Sequence, residues 1–297
     1  MSIRRSVPAA DGAVLNVELD GPADAPITVV LAHGWTLDVR LWGPVARLLI
    51  QGPGPVRVVR YDHRGHGWSA AVDPASMTIE QLADDLAAVI AAVAPNGPLV
   101  LAGHSMGGMT LMALAERHPS IVDRAAGIAM VSTASGGLAG RVPGIPFPAR
   151  TFWRPLEERL YASRPWCTRP RLGHRRLLAP ALRRLLLGPD ASPEARRITS
   201  EMIAACRPLT MSGFRPTLEA HERDAALEAF APIPTAVLVG ARDRLTPVAA
   251  TRRIAAALPS AGLTIFPEAG HMLPVERAAG VAGRIRALAA GAVPAAH

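Results

Sequence analysis

Ser105 stands in Gly103-His-Ser105-Met-Gly107, a G-x-S-x-G pattern between a short apolar run and a run with helical spacing. A serine placed there must turn sharply from strand to helix, and small residues two positions to either side let the two elements close around it. The turn exposes Oγ. It also aims the helix N-terminus, with its unpaired N–H groups and partial positive charge, at any oxygen that becomes negative during attack. A serine hydroxyl is a poor nucleophile at neutral pH, so it needs a base, and the base needs an acid to orient it. The chain order expected for such a turn is serine, then carboxylate, then histidine. Gly240-Ala-Arg-Asp243 and Glu268-Ala-Gly-His271-Met supply the last two in that order. The reading is acyl transfer with Ser105 as nucleophile, His271 as general base and Asp243 as the acid that orients it. The backbone N–H of Met106 would be one donor to the tetrahedral oxyanion. The N–H of Trp35, in Ala32-His-Gly-Trp35, would be the other; Gly34 permits close backbone approach, and His33 is read as a hydrogen-bonding prop for that loop.

These residues need a scaffold that brings three loops to one edge. Residues 27–32, 56–61, 98–102, 126–131, 235–239 and 263–266 are short apolar runs bounded by Gly, Pro or Asp, as buried strands should be. Residues 14–19 alternate like an exposed antiparallel strand. Helical spacing fills most of the gaps: 41–50, the helix after Thr78-Ile-Glu-Gln81, 106–118, and a final helix to about Ala290. Thr78 and Gln81 read as a capping box, and Thr246-Pro247 as the N-cap and first position of another helix. Alternating strands and helices predict a mostly parallel sheet with helices on both faces, where ligands collect beyond the strands' C-terminal ends. Ser105, Asp243 and His271 each follow a strand, so their loops open on the same edge.

The rhythm breaks near Ser135-Gly-Gly-Leu. From there to about residue 230 the chain is rich in Arg, Pro and Leu, with helical runs at 175–187 and 193–206. The expected organisation is a core of residues 1–136 and 231–297 carrying a helical cap at 137–230. The chain has 297 residues, 49% of them apolar, enough for one large domain with an insertion. The N-terminus shows no apolar leader and no uncharged run reaches bilayer length, so the expected location is cytoplasmic. Cys167 and Cys206, both in the insertion, lack a CxxC neighbour, which removes zinc and thioredoxin-like chemistry; in the cytosol they are expected unpaired. The net charge is +8 and every one of the 32 basic residues is Arg. A cluster at Arg169, Arg171, Arg175, Arg176, Arg183 and Arg184 is read as solvated helix faces rather than an anion or membrane site, and no nucleic-acid motif accompanies it.

In order along the chain, His33-Gly34-Trp35, Asp62-His-Arg-Gly-His-Gly-Trp-Ser69, Gly103-His-Ser-Met-Gly-Gly108, Gly240-Ala-Arg-Asp243 and Gly270-His271 resemble the signatures of the α/β-hydrolase superfamily. The resemblance runs over nearly the whole chain. It implies a core sheet of about eight strands with a helical cap inserted after the sixth. It also implies that Asp62 and Arg64 brace loops near the nucleophile, and that His63 and His66 are turn residues rather than metal ligands. A serine at the elbow, where the epoxide-hydrolase and haloalkane-dehalogenase branches need a carboxylate, argues against both. The expected activity is hydrolysis of a carboxylic ester through an acyl-serine intermediate, with no metal or organic cofactor. The expected partner is a small, apolar ester, because the insertion is rich in Leu, Ala and Pro. C–C bond hydrolysis, with Arg154 or Arg164 holding a substrate carboxylate, and cofactor-free perhydrolysis use the same three residues. A hydrolase-fold binding protein without turnover is the non-enzymatic alternative.

Overall fold

A computed structural model describes residues 2–138 and 184–292. Its centre is an eight-stranded sheet of order β1-β2-β4-β3-β5-β6-β7-β8. The strands are β1 (Ile3–Pro8), β2 (Val14–Asp20), β3 (Thr28–Ala32), β4 (Arg57–Tyr61), β5 (Leu99–His104), β6 (Ala125–Val131), β7 (Thr235–Gly240) and β8 (Gly262–Phe266). The β1–β2 and β2–β4 pairs are antiparallel, and all later pairs are parallel.

Strands β3, β5 and β7 are buried along their whole length. Successive side chains of a strand point to opposite faces, and both faces of this sheet are covered, so each strand must be apolar throughout. On one face Val30, Leu101, Met130 and Val237 pack against α2 (Ile79–Val93) and α3 (Met106–Arg117). On the other, Leu31, Val100, Val131 and Leu238 pack against α1 (Gly43–Gln51) and α7 (Ala278–Ala292). Between β6 and β7 the described residues carry α4 (Pro193–Ala205) and α5 (Pro208–Glu219) and no strand; α6 (Val248–Ala257) follows β7. The chain leaves β3 toward β4 and then crosses back to place β5 on the other side of β3. The C-terminal ends of β3 and β5 therefore flank the point where the strand order reverses, the place where open α/β sheets gather ligands.

Three expectations need correction. Residues 14–19 do pair antiparallel, but β2 is not an exposed edge: β1 pairs along its outer side and leaves Leu15 and Val17 fully buried. The capping box forms by half. Thr78 Oγ1 accepts from Gln81 N at 3.1 Å, whereas the Gln81 amide reaches along the helix toward Asp85 at 3.5 Å. Helix α5 falls within the segment expected to be helical, although Gly213 and Pro216 interrupt its apolar spacing. Thr246 does not cap α6, whose N-cap is Pro247 with no side-chain bond; its hydroxyl is used elsewhere, as described below. Cys206 is a free thiol. Cys167, Arg154, Arg164, most of the arginine cluster and most of the 175–187 run lie outside the described residues.

Candidate active site

Strand β5 delivers the chain into a single residue of unusual conformation. Ser105 has φ 53° and ψ −118°, left-handed territory that a side chain seldom enters without a functional reason. Its N–H donates to Val131 O at 3.0 Å, and its carbonyl accepts from Gly108 N and from Thr133 Oγ1, so the strained backbone is held on both sides. The flanking glycines are a steric requirement. A methyl on Gly103 would lie 2.5 Å from the carbonyl of Gly107, and one on Gly107 would run into the carbonyl of Ala32. Ser105 is half-buried, and Met106 opens α3.

The other two loops end on the same edge. Asp243 lies just beyond β7 and His271 just beyond β8; both are nearly buried, and His271 Nδ1 stands 2.9 Å from Asp243 Oδ2. Asp243 Oδ1 accepts the backbone N–H groups of Leu245 and Thr246, each at 2.9 Å, and Oδ2 accepts the Thr246 hydroxyl at 2.9 Å. Burial pushes the Asp243 carboxyl upward, but the neighbouring His271 and the Thr246 hydrogen bonds outweigh it and hold Asp243 below the usual carboxylate range. Asp243 is thus an anion at neutral pH, facing Nδ1 of the ring.

The backbone of His271 is itself pinned. Its N–H donates to Leu186 O at 2.8 Å, and its carbonyl accepts from His104 Nε2 at 2.8 Å. Burial pushes the His104 imidazole down to about 3, so it stays neutral. The half-buried carboxylate of Glu276 accepts from Gly270 N, Met272 N and Gly188 N at 2.7–3.1 Å, fastening the residues on either side of His271. Sequence reasoning missed Thr246, His104 and Glu276 as site residues. The strand-to-helix pattern made Thr246 look like a cap, and nothing local marks Glu276 except its position five residues after the histidine.

The loop after β3 lies directly against the serine: a methyl on Gly34 would stand 3.1 Å from Ser105 Cβ. His33 is fully buried, and burial lowers its pKa. Its Nε2 accepts from His63 N at 3.0 Å, so Nδ1 carries the proton and donates to Gly34 O at 2.8 Å. The Gly34 carbonyl and the Trp35 N–H belong to one trans peptide plane and point in opposite directions. Holding the carbonyl therefore aims the N–H. Among the described residues the N–H groups of Trp35 and Met106 take no hydrogen-bond acceptor, which leaves both donors available beside Ser105.

The turn at 62–69 supports this loop. Asp62, fully buried, accepts from Val39 N, Asn16 Nδ2 and Trp68 N at 2.8–2.9 Å. Arg64, also buried, bridges Asp85 and Asp11 with two bonds to each. Both brace loops, as the resemblance implied. His63 Nε2 donates to His33 O at 2.9 Å. The described residues contain no group of three or more ligands able to hold a metal.

A mostly parallel sheet with a strained serine after β5 and a paired aspartate and histidine after β7 and β8 defines the architecture of a hydrolase of the α/β class. The chain belongs to the alpha/beta hydrolase family, whose model matches residues 29–284. It is similar to a pimeloyl-[acyl-carrier protein] methyl ester esterase of Chromobacterium violaceum, 30% identical over 254 residues that cover 82% of this chain and 86% of the relative. Probable oxidoreductase EphD of Mycobacterium tuberculosis is 35% identical over 169 residues, 54% of this chain; the match spans about a quarter, 27%, of that longer relative. The solved structure of a thermophilic esterase from Thermogutta terrifontis superposes with a TM-score of 0.75 at 25% identity, covering 99% of this chain and 100% of that one. No helix among the described residues is long and apolar enough to cross a membrane.

Proposed function

We propose that the protein is a serine hydrolase that cleaves a carboxylic ester through an acyl-Ser105 intermediate. The observation that carries the reading is the His271–Asp243 pair at 2.9 Å, set on the same sheet edge as a serine forced to φ 53°. His271 Nε2 takes the Ser105 proton as Oγ bonds to the ester carbonyl carbon. The carbonyl oxygen becomes an anion and collects the N–H groups of Met106 and Trp35. Collapse breaks the C–O bond to the alcohol, which leaves with the proton from His271. Water then attacks the acyl-serine by the same route, giving the acid and restoring the hydroxyl. Among the described residues Ser105 Oγ makes no hydrogen bond; its link to His271 closes in the reactive complex, as such bonds do when substrate is bound.

The substrate we propose is a small ester with an apolar acyl group, on two grounds: the Leu-, Ala- and Pro-rich insertion at 137–230, and relatives named as esterases. The test is turnover of p-nitrophenyl esters of increasing acyl length by wild type and Ser105→Ala, with a fluorophosphonate label in parallel. Multiple turnovers and labelling in wild type, both lost in Ser105→Ala, support the reading. Labelling without ester turnover would replace ester hydrolysis by C–C hydrolysis or perhydrolysis at the same serine. A folded wild type that neither labels nor turns over would refute an enzyme at this site.

A further inference from the structure

The segment that offers the Trp35 N–H contains a second strained residue. Thr36 has φ 66°, left-handed backbone that a β-branched residue avoids. The Leu37 N–H donates to the Gly34 carbonyl at 3.3 Å and closes the turn around it, and a second support comes from outside the loop. Thr36 N donates to His66 Nε2 at 3.2 Å, across thirty residues of sequence. On its other edge His66 Nδ1 stands 3.0 Å from Arg64 O; that carbonyl can only accept, so Nδ1 carries the proton and Nε2 is free to accept. The ring is buried, packed edge-on to His33 and tilted against Phe214 of α5, each at 5.3 Å between centroids.

The consequence follows from peptide geometry. Trp35 lies between two rigid planes. The plane before it is held at the Gly34 carbonyl by His33 Nδ1. The plane after it is held at the Thr36 N–H by His66 Nε2. With both planes held, and Leu37 N also on the Gly34 carbonyl, φ and ψ of Trp35 are restrained together, and its N–H keeps one direction. We propose that His66 is a positioning residue for the oxyanion donor: it accepts from Thr36 N–H, holds Thr36 in its left-handed conformation, and thereby aims the Trp35 N–H at the developing oxyanion. This rests on the reading of the Trp35 N–H as an oxyanion donor. A protonated His66 would set Nε2–H against Thr36 N–H and break the link. Burial above all, with the Arg207 guanidinium nearby, pushes the imidazole down to about 3, so the accepting form persists through the neutral range.

The test compares His66→Phe and His66→Gln in the full chain. Phenylalanine keeps the ring against Phe214 and His33 but accepts nothing. Glutamine Oε1 reaches the position of Nε2 and accepts from Thr36 N–H. A misaimed oxyanion donor is lost from the transition state and not from substrate binding, so His66→Phe should lower kcat by about 100-fold with KM changed less than threefold. The rate of fluorophosphonate labelling, which passes through the same oxyanion geometry, should fall in parallel. His66→Gln should recover most of both rates. A folded His66→Phe with kcat and labelling within threefold of wild type would overturn the proposal. So would equal losses in the two variants. A nitrogen-detected NMR correlation of the wild-type ring separates this outcome from failure of the active-site reading. The Nδ1–H form with a bare Nε2 upholds the Thr36 link even if Ser105 proves inert, and the Nε2–H form excludes it.

Discussion

Replacing Asp243 by asparagine tests the proposed base and its orienting acid in one step, because the surroundings dictate which way the amide must face. Asp243 Oδ1 receives two backbone N–H groups, from Leu245 and Thr246 at 2.9 Å each. An asparagine NH2 in that position would strand both amides, at about 1–3 kcal/mol apiece. The amide oxygen therefore takes the Oδ1 site and the NH2 group takes the Oδ2 site, where it faces His271 Nδ1 at 2.9 Å and the Thr246 hydroxyl at 2.9 Å. There it has one hydrogen for each, with the hydroxyl rotating to accept. The geometry is preserved and the chemistry is inverted. Nδ1 must now accept, so the proton moves to Nε2, and the nitrogen that should take the Ser105 proton already carries one. A base locked in the wrong tautomer costs about 10⁴-fold in kcat, roughly 5 kcal/mol of barrier. The assay is steady-state hydrolysis of a p-nitrophenyl ester by wild type and Asp243→Asn, with the thermal midpoint of each to show that both are folded. Asp243→Asn with kcat within tenfold of wild type would refute the assignment of Asp243 as the orienting acid.

Other perturbations have equally definite expectations. Glu276→Ala strands the N–H groups of Gly188, Gly270 and Met272, which should cost at least about 3 kcal/mol in urea unfolding; an unchanged midpoint would show that water replaces the carboxylate. Acid should destabilise the fold through its buried imidazoles. His66 and His104 are both pushed down to about 3 by burial, so below the ordinary histidine value near 6.5 the unfolded chain binds protons that the folded chain refuses. Their contribution is complete above that value and is lost as pH falls, by about 2 kcal/mol for each group at pH 5. A thermal midpoint that is flat from pH 8 to pH 5 would contradict this. Arg64→Lys replaces two bidentate contacts by a single point charge, and should cost about 3 kcal/mol or more by chemical denaturation.

The parallel part of the fold was legible because each buried strand carries its own apolar run and each turn its own Gly or Asp. The strained serine was legible for the same reason: Gly103, Ser105 and Gly107 are neighbours in sequence, so local sterics report on the site. What escaped notice depends on distant segments. The exposed reading of residues 14–19 failed because β1, with five of its six residues exposed, gives no apolar signal of its own. The roles of Thr246 and Glu276 failed for a related reason. A threonine before a proline and a glutamate after a loop have strong local explanations, and only the folded chain shows that their oxygens serve Asp243 and the backbone around His271. His66 is the clearest case: its partner at Thr36 is thirty residues away.

The long-range bonds also change how the inserted segment relates to the core. A cap placed at residues 137–230 suggests a separable unit laid over a finished site. Two of its edges are instead built into the site's supports. Arg207 and Thr210, at the start of α5, both donate to the carbonyl of Gly65, at 2.7 and 2.9 Å, and Phe214 packs on His66. At the other edge, Leu186 O receives the N–H of His271, and Gly188 N donates to the same Glu276 carboxylate that holds Gly270 and Met272. One edge thus touches the residue proposed to aim the oxyanion donor, and the other touches the backbone of the proposed base. Displacing residues 186–188 would strip His271 of its N–H partner, and displacing α5 would release the turn that carries His66. The described parts of the insertion therefore act as a frame for the groups proposed to react. A change in that frame would be felt in kcat as well as in the choice of substrate.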